Sequence, residues 1–380
     1  MKQRYYFDWA ATALPAGPRL SPPVPFGNPS SPHTEGRLAR KALEDARSRC
    51  AAVLGVGAET IYFTSGGTEA NMIALHSLLM REGPPGTLLY SAMEHPSVRE
   101  NALALKKLGM PVRQIQAEKD GRISGEKFSA ALDRAERPVL AAVMAVNNET
   151  GSINGIPALA ALSRKFFGPP VRFHCDIVQA IGRTPVALKE WGVDSASLSA
   201  HKLGGPRGTG ILYLRQPAGV LGCGGGQERG IRPGTENVEG AAALAEILEI
   251  RAKNETAAAE YAAAVSRFGF LIRSLRATGR CALVPEDRQD EDKRFSPYIL
   301  QIALKGIPGQ AAVRALDNEG FAVSTGSACS SHKEGRPVLD AMGVDRETAL
   351  YGIRISQGWT TTEDDIEALL IAVKKILGRL

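Results

Sequence analysis

Lys202 lies in a run of small residues, Ser199-Ala200-His201-Lys202-Leu203-Gly204-Gly205, after a stretch with β character. Small neighbours favour a poorly hydrated amine, and loss of hydration lowers the pKa of a lysine and makes it a nucleophile for a carbonyl group. The loop alone is weak evidence, because a lysine in a glycine-rich loop is more often a solvated surface charge.

Asp176 comes 26 residues before Lys202, at the end of the apolar stretch 171–176. A carboxylate at this point can pair with a protonated pyridine nitrogen, and that pair turns a pyridine ring into an electron sink. An aldehyde for the lysine and a pyridine for the aspartate occur together in pyridoxal 5′-phosphate. The two residues therefore predict a site for this cofactor.

The turn Thr64-Ser65-Gly66-Gly67-Thr68 follows a short apolar stretch and precedes an apolar-periodic segment. A turn between a strand and a helix offers free backbone N–H groups and a positive dipole end to a phosphate. It lacks the Gly-Lys-Ser/Thr ending of a nucleotide loop and the Gly-x-Gly-x-x-Gly pattern of a dinucleotide site, which argues against a nucleotide-dependent oxidoreductase. A helix cap by Thr68 is the simpler interpretation of the turn by itself.

The composition is that of a globular protein with room for a second domain: 380 residues, 44% of them hydrophobic. The formal net charge is +6, and no Lys/Arg block is present. This pattern does not suggest nucleic-acid binding and suits anionic ligands equally well. Without a signal sequence or an apolar run of membrane-spanning length, we expect a cytoplasmic protein that binds neither membrane nor nucleic acid.

The five cysteines are widely spaced and include no Cys-x-x-Cys pair, so we expect neither a metal centre nor a disulfide framework. Four of them have structural explanations, as small hydrophobes or as part of a glycine loop: Cys50, Cys175, Cys223 and Cys281. Cys329 differs, because its loop of Ser, Thr, Gly and Ala residues is expected to be exposed and gives a thiol no packing role. Cys329 is therefore a candidate nucleophile.

Alternating strand and helix patterns predict an α/β fold with a mainly parallel sheet. The apolar run 139–146 is typical of a strand buried on both faces, and Pro157 predicts the start of a helix over 158–167. An alanine-rich helical region follows over 239–276, with an interruption near 254–256. Thr361 and Asp364 suggest a capping box before a C-terminal helix.

The same patterns divide the chain into three parts. Residues 1–22 are expected to join the smaller domain, residues 23–245 to form the large cofactor-binding domain, and residues 246–380 to form the small domain that carries Cys329. Five prolines between positions 14 and 27 predict an extended segment there.

Ten stretches, in order along nearly the whole chain, resemble the NifS- and IscS-like cysteine desulfurase branch of the class V aminotransferase family. They are Tyr6-Phe7-Asp8-Trp9-Ala10-Ala11-Thr12, Gly27-Asn28-Pro29-Ser30-Ser31, Phe63-Thr64-Ser65-Gly66-Gly67-Thr68-Glu69, Glu94-His95, Val146-Asn147-Asn148-Glu149-Thr150-Gly151, Asp176 with Gln179, Ser199-Ala200-His201-Lys202, Gly224 to Gly230 with Arg232-Pro233-Gly234-Thr235, Ser327-Ala328-Cys329, and Ile353-Arg354-Ile355-Ser356. The resemblance implies the fold type I architecture of pyridoxal-phosphate transferases: a large domain with a mainly parallel seven-stranded sheet and a smaller α+β C-terminal domain.

The resemblance also implies roles around the cofactor ring. Lys202 forms the covalent link to the cofactor and later moves the Cα proton of the substrate. Asp176 pairs with the ring nitrogen, Gln179 donates to the phenolic oxygen, and His95 stacks on the ring and acts in proton transfer.

Further residues are implied for the phosphate and the substrate. Gly67, Thr68, Ser199 and His201 hold the phosphate, and Thr235 reaches the phosphate of a neighbouring subunit, which implies a homodimer. The substrate-carboxylate ligands are Asn148, which also contacts the cofactor, and Arg354.

The implied reaction converts L-cysteine to L-alanine and leaves a persulfide on Cys329, which passes sulfur to an acceptor protein for iron–sulfur clusters, thio-cofactors or tRNA thiolation. Three alternatives stay open: a selenocysteine lyase, a class V aminotransferase, and a catalytically idle scaffold of a sulfur pathway. Single residues have simpler explanations too, since His95 could cap a helix and Arg354 could belong to a strand salt bridge.

The proline-rich start and the segment after Cys329 depart from the family pattern, which puts the entrance and the acceptor surface in question.

Overall fold

The computed structural model describes residues 3–16, 23–80, 86–165, 171–251, 254–326 and 335–378. Its strands are β1 (Tyr5–Tyr6), β2 (Ile61–Thr64), β3 (Thr87–Ser91), β4 (Val112–Ile115), β5 (Val139–Ala142), β6 (Val171–Asp176), β7 (Ser195–Ser199), β8 (Gly210–Leu214), β9 (Cys281–Val284), β10 (Ile299–Leu304), β11 (Phe321–Ala322) and β12 (Gly352–Ser356). Its α-helices are α1 (Thr34–Leu54), α2 (Gly67–His76), α3 (Pro96–Lys107), α4 (Gly125–Asp133), α5 (Ile156–Lys165), α6 (Leu188–Trp191), α7 (Val238–Arg251), α8 (Asn254–Arg276), α9 (Gly309–Glu319), α10 (Pro337–Ala341), α11 (Arg346–Leu350) and α12 (Glu363–Leu377).

Within the described ranges, seven strands form the central sheet in the order β2-β8-β7-β6-β5-β3-β4. Strands β7, β6, β5, β3 and β4 pair in parallel, and β8 runs antiparallel to both of its neighbours. The predicted mainly parallel seven-stranded sheet is confirmed. Because β2, β6 and β7 run in the same direction, their carboxyl ends meet at one edge, where open α/β sheets bind ligands.

Helices cover both faces of this sheet, which explains its continuous apolar strands. Leu88 and Leu140 pack on the face beneath α2 and α3, whereas Leu89 and Ala141 pack on the face beneath α1, α4, α5 and α7. The alternation follows from the two-residue period of a strand.

A second, antiparallel sheet has the order β12-β10-β9, and its core includes side chains of α8, α9 and α12. Strand β1 pairs in parallel with β11, and Phe7 lies in the same core. The division of the chain into domain units of residues 1–22, 23–245 and 246–380 stays a prediction.

Several predicted boundaries shift. The capping box is formed by Thr362 and Asp365, one position later than predicted, while Thr361 accepts a bond from the Gly358 N–H. Helix α5 begins at Ile156 instead of residue 158. Strand β5 ends at Ala142, although the N–H groups of Val143 and Ala145 still donate to the carbonyls of His174 (3.1 Å) and Asp176 (2.9 Å) in β6. Helix α7 ends at Arg251 and α8 begins at Asn254, so residues 254–256, where the sequence predicts an interruption, belong to a helix.

The N-terminal segment, residues 5–16, lies between the two sheets. The Ser356 N–H donates to the Phe7 carbonyl (2.8 Å), and the Ala13 N–H donates to the His201 carbonyl (3.0 Å). Gly204 has a φ of +85°, and a Cβ there would lie 2.7 Å from the Leu14 carbonyl oxygen. The absence of that Cβ lets residues 10–16 pass directly over the Lys202 loop. None of the helices in the described ranges is long and apolar enough to cross a membrane.

Candidate active site

One cavity of about 300 Å³ lies at the carboxyl edge of the central sheet. Ten of the twelve predicted site residues line it: Gly67, Thr68, His95, Asn148, Asp176, Gln179, Ser199, His201, Lys202 and Arg354. Thr235 does not line it, and Cys329 lies outside the described residues. Residues from widely separated parts of the sequence therefore converge on one site.

The amine of Lys202 is partly buried, and a poorly hydrated amine is what the sequence predicts at this position. Its Nζ donates to the backbone carbonyls of Ala10 (2.6 Å) and Ala11 (2.7 Å). Burial, together with the positive charges of Arg354 and Arg183, lowers the pKa of Lys202 to about 7. A large fraction of the amine is therefore neutral and nucleophilic near neutral pH.

The carboxylate of Asp176, 5% exposed, is fixed by neighbouring hydrogen bonds. Its Oδ1 accepts from the Val178 N–H (2.9 Å) and its Oδ2 accepts from Nδ2 of Asn71 (2.9 Å). The Asn71 Oδ1 lies 2.8 Å from Nε2 of His174, a fully buried imidazole whose pKa is lowered to about 3 by burial. A neutral His174 thus orients the amide that orients Asp176.

His95 both caps a helix and lines the cavity. Its Nδ1 accepts from the Ser97 N–H (3.1 Å), so it caps α3, and it also lines the cavity. Burial lowers its pKa. Because Nδ1 is an acceptor, the proton of the neutral imidazole lies on Nε2. Asn71 Nδ2 donates to the Ser97 hydroxyl (2.8 Å), so one amide links His95 with Asp176.

The start of α2 forms a turn (the anion-binding turn) whose backbone suits a negatively charged group. Gly66 has a φ of +152°, and α2 begins at Gly67, where an added Cβ would lie 2.8 Å from Val178 Cγ2. Thr68 is exposed and Ser199 is buried beside the turn. Free N–H groups at a helix start and two hydroxyls at one edge of a cavity suit a phosphate.

His201 and Gln179 complete this part of the wall. Nδ1 of His201 lies 3.1 Å from the Thr12 hydroxyl, and burial together with the charge of Lys202 lowers its pKa to about 4. Nε2 of Gln179 donates to the Ala10 carbonyl (2.8 Å), and its Oε1 accepts from Arg183. Gln179 is buried, with 3% of its surface exposed.

Arg354, 2% exposed, lies on the opposite wall in β12. Its Nη2 pairs with Asp8 (2.8 Å), and its Nη1 donates to the Asn148 carbonyl (2.7 Å) and to the Gly326 carbonyl (3.2 Å). The strand salt bridge that the sequence left open is thus present. Nε of Arg354 is buried and has no hydrogen-bond partner in the described part of the chain.

Sequence reasoning missed several residues that build the site. Asn71 comes four residues after Gly67, and Arg183 comes four residues after Gln179. A spacing of four places two residues on the same face of a helix or helical turn, and this signal could have identified both. Nothing in the sequence pattern marks the carbonyls of Ala10 and Ala11 as the acceptors for Lys202.

Glu94 is a further missed residue of the cavity wall. Its Oε1 accepts from the Ser91 hydroxyl (2.7 Å) and from the Met144 N–H (2.7 Å), whereas its Oε2 has no partner among the described residues. Full burial, together with the nearby charge of Asp176, raises its pKa to about 8. Glu94 is therefore largely neutral at neutral pH.

Comparisons with known proteins agree with this geometry. The family model described as Aminotransferase class-V matches residues 5–369. The chain is 33% identical to "Cysteine desulfurase IscS" of Dictyoglomus turgidum, with 100% of this chain and 96% of that protein covered, and 36% identical to a "Cysteine desulfurase" of Cereibacter sphaeroides, with 100% and 97% covered. A solved structure titled "NIFS-LIKE PROTEIN" matches with a TM-score of 0.87 and 32% identity over 100% of both chains.

The chain belongs to the class V aminotransferase family, and its fold is the fold type I architecture that the resemblance implied. Both the recognised family and the predicted fold class are confirmed.

Replacing Glu94 by Gln should remove a pH dependence of stability. Between the pKa of an unfolded glutamate, about 4.3, and the folded value of about 8, the native state holds a proton that the unfolded state has lost. The unfolding free energy of the wild type should therefore fall with rising pH in this window, by up to about 1.4 kcal/mol per pH unit, and level off above pH 8. The stability of Glu94→Gln relative to wild type should rise over the same window in urea titrations.

Glu126→Gln is the matched control, because Glu126 is exposed and the same chemical change there takes place in water. Its stability difference from wild type should be small at every pH. A Glu94→Gln difference that is independent of pH between 5 and 8 would contradict a neutral Glu94.

Proposed function

We propose that the protein is a pyridoxal-phosphate-dependent cysteine desulfurase, which converts L-cysteine to L-alanine and leaves the sulfur as a persulfide on Cys329. Full-length similarity to proteins named cysteine desulfurase supports the activity. The structural observation that carries the proposal is one cavity lined by a lysine of lowered pKa and a buried aspartate, Lys202 and Asp176.

The cavity fits the cofactor at both of its ends. The start of α2, with Gly67, Thr68 and Ser199, would hold the phosphate, and the missing side chains of Gly66 and Gly67 leave the backbone N–H groups accessible. Asp176 would hold the ring nitrogen in its protonated form, and His95 and Val178 line the cavity beside it. When bound, pyridoxal phosphate supplies an electron sink for the pair released with the Cα proton.

The chain's own residues handle the proton. A neutral Lys202 amine can accept the Cα proton of the substrate, because its pKa of about 7 lies near physiological pH. Its two acceptors, the carbonyls of Ala10 and Ala11, hold Nζ in place while its charge changes. His95, with its proton on Nε2, is the second group at the cavity that can donate or accept one.

Arg354 and Asn148 would bind the substrate carboxylate. Arg354 uses its two terminal nitrogens within the protein, and its buried Nε is the donor that has no partner among the described residues. Asp8 holds the guanidinium in orientation, as a charge-assisted bond does. The substrate carboxylate would therefore meet an arginine that is already positioned.

Cys329 is the best candidate for the sulfur nucleophile. Cys50 and Cys281 are buried with pKa values raised to about 12 by burial, and Cys175 is buried with a raised pKa, so these three stay protonated thiols. Cys223 is exposed but does not line the cavity. Gly326 does line it, and three residues of chain span at most about 11 Å, so the position of Cys329 in the sequence allows its thiol to reach a substrate in the cavity.

The sulfur step balances without an external reductant. The Cys329 thiolate attacks the sulfur of L-cysteine, an S–S bond forms, and the C–S bond breaks. The electron pair of the broken bond stays with the carbon, which takes up a proton and leaves as alanine. The persulfide then passes its outer sulfur to an acceptor, whose identity and pathway the sequence leaves open.

A homodimer is the assembly that suits Thr235. Thr235 is exposed and lies outside its own cavity, on a loop whose backbone is tightly held. Glu228 on this loop has a φ of +47° and forms a buried, two-pronged pair with Arg47 (2.7 and 2.9 Å). Arg232 pairs with Glu69 of α2 (3.2 Å). A rigid, exposed loop beside the anion-binding turn supports a contribution of Thr235 to a partner's phosphate site.

The cytoplasmic location stays a prediction.

Lys202→Ala should abolish covalent capture of the cofactor. Borohydride treatment of the purified wild type should fix a pyridoxyl group on the peptide that contains Lys202, because the neutral amine bonds to the cofactor aldehyde. Peptide mass spectrometry measures the modification. Lys189→Ala removes an exposed lysine and should leave the modification unchanged. A wild type without pyridoxyl on Lys202 would contradict the cofactor proposal.

Cys329→Ser should separate cofactor chemistry from sulfur transfer. This variant should retain pyridoxal phosphate and still bind L-cysteine, since the cavity is intact, but alanine and sulfide release should fall by orders of magnitude. Wild type incubated with L-cysteine should gain one sulfur atom on the Cys329 peptide. Cys223→Ser is the control and should behave as wild type. Undiminished turnover by Cys329→Ser would favour a lyase that eliminates directly, and amino transfer to a keto acid would favour an aminotransferase.

Thr235→Ala should weaken cofactor retention in a dimer through the partner's site. Co-expression of Thr235→Ala with Lys202→Ala chains should form mixed dimers in which one site has both residues intact. Tightly held cofactor should then reappear in at most half of the sites of the mixed dimer. Thr360→Ala, which changes another exposed threonine, should retain the cofactor as wild type does. A stable monomer, or no recovery in the mixed dimer, would contradict a contribution in trans.

A further inference from the structure

Arg336 joins two parts of the chain that lie on either side of residues 327–334. Its Nη2 donates to the carbonyl of Thr325, just before this segment, and Arg336 itself follows the segment. Cys329 belongs to the segment, which lies outside the described residues. One guanidinium thus connects the point where the chain leaves for Cys329 with the point where it returns.

The same guanidinium is attached to the rest of the fold. Its Nη1 donates to the carbonyls of Ala349 (3.0 Å) and Gly352 (3.1 Å). Its Nη2 also lies 3.5 Å from Oε2 of Glu149, a buried residue of the cavity wall. Burial raises the pKa of Glu149, and the charge of Arg336 is the largest influence that opposes this rise.

Two glycines leave space for this arrangement. A Cβ on Gly326 would lie 2.9 Å from Nη2 of Arg336 and 3.0 Å from Oε2 of Glu149, and Gly326 has a φ of +108°. A Cβ on Gly352 would overlap Nη1 of Arg336. The guanidinium therefore occupies a space that glycines at both positions keep open.

Arg354 holds the same end of the segment from the substrate side. Its Nη1 donates both to the Gly326 carbonyl (3.2 Å) and to the carbonyl of Asn148, the neighbour of Glu149. The chain before Cys329 is thus bonded to the wall that would bind the substrate carboxylate. The base of the nucleophile segment and the carboxylate site are one hydrogen-bonded unit.

We propose that Arg336 is a positioning residue for sulfur transfer, which fastens both ends of the Cys329 segment to each other and to Glu149 at the cavity wall. The inference rests on the proposed function of Cys329. Holding Thr325 and Arg336 together limits by chain length the positions that the chain between them can reach, and reaction rates depend steeply on the placement of a nucleophile. Arginine suits this role because its planar fork donates in two directions at once, which the ammonium of a lysine does not.

The test compares Arg336→Gln, Arg336→Lys and the control Arg346→Gln, which removes an exposed arginine ten residues later. In single turnovers with saturating L-cysteine, Arg336→Gln should form the Cys329 persulfide on the order of 10- to 100-fold more slowly. Pyridoxyl capture at Lys202 and the L-cysteine concentration that gives half-saturation should stay within about twofold of wild type. Arg336→Lys should regain only a small part of the rate, and Arg346→Gln should react as wild type.

A second measurement reports on the thiol without turnover. Iodoacetamide alkylation of the Cys329 peptide should be compared with that of the Cys223 peptide, an exposed thiol in the same molecule. Saturation with L-alanine, which carries no sulfur for Cys329 to attack, should change the ratio of the two rates in wild type, and this change should be lost in Arg336→Gln.

The outcomes separate the two proposals. Persulfide formation by Arg336→Gln at the wild-type rate would overturn the positioning role and leave the desulfurase proposal intact. A wild type that forms no persulfide on Cys329 would overturn the desulfurase proposal itself. If Arg336→Gln fails to capture the cofactor, Arg336→Lys decides, since it keeps the charge: capture at the normal level with slow persulfide formation supports the proposal, and a normal rate contradicts it.

Discussion

The amine of Lys202 is buried against two backbone carbonyls, at 2.6 and 2.7 Å from Ala10 and Ala11, and pairs with no carboxylate of the described residues. Burying an ammonium without a counter-ion is costly, and the cost lowers its pKa to about 7. Asp8 and Asp176 are the aspartates whose charges act on Lys202, but both bind other side chains. Asp8 pairs with Arg354, and Asp176 accepts a hydrogen bond from Asn71. This arrangement keeps a lysine reactive in a cavity that also contains acidic groups.

The short N-terminal segment carries much of that arrangement. It supplies the carbonyls for Lys202 and Gln179, the Asp8 partner of Arg354, and the backbone that pairs with Ser356 of β12. The segment therefore couples the central sheet, which holds the lysine and Asp176, to the antiparallel sheet, which holds Arg354. Relative movement of the two sheets would change the distance between the cofactor site and the carboxylate site.

A second level of organisation lies behind the residues that would touch ligands. Neutral His174 orients Asn71, Asn71 orients Asp176, and Asn71 also bonds the Ser97 hydroxyl beside His95. A buried polar network of this kind is stable only when its members are satisfied, and it then fixes one geometry. Asn71 and His174, which do not line the cavity, thus fix the orientation of Asp176 and, through Ser97, of His95.

The sequence alone determined the class of fold, because apolar strands alternating with helices require a sheet covered on both faces, and it picked out ten of the residues that line the cavity, Lys202 and Asp176 among them. Local spacing could not decide between Thr361 and Thr362 as the residue of the capping box. Each threonine is followed three residues later by an aspartate, and the structure uses Thr362. Only the tertiary structure decided the partners: the carbonyls over Lys202, the Asp8–Arg354 pair, the neutral Glu94, and the Arg336 contacts that need glycines at 326 and 352. These partners come from residues far apart in sequence, and the burial that sets their protonation arises only when the two sheets and the N-terminal segment pack together.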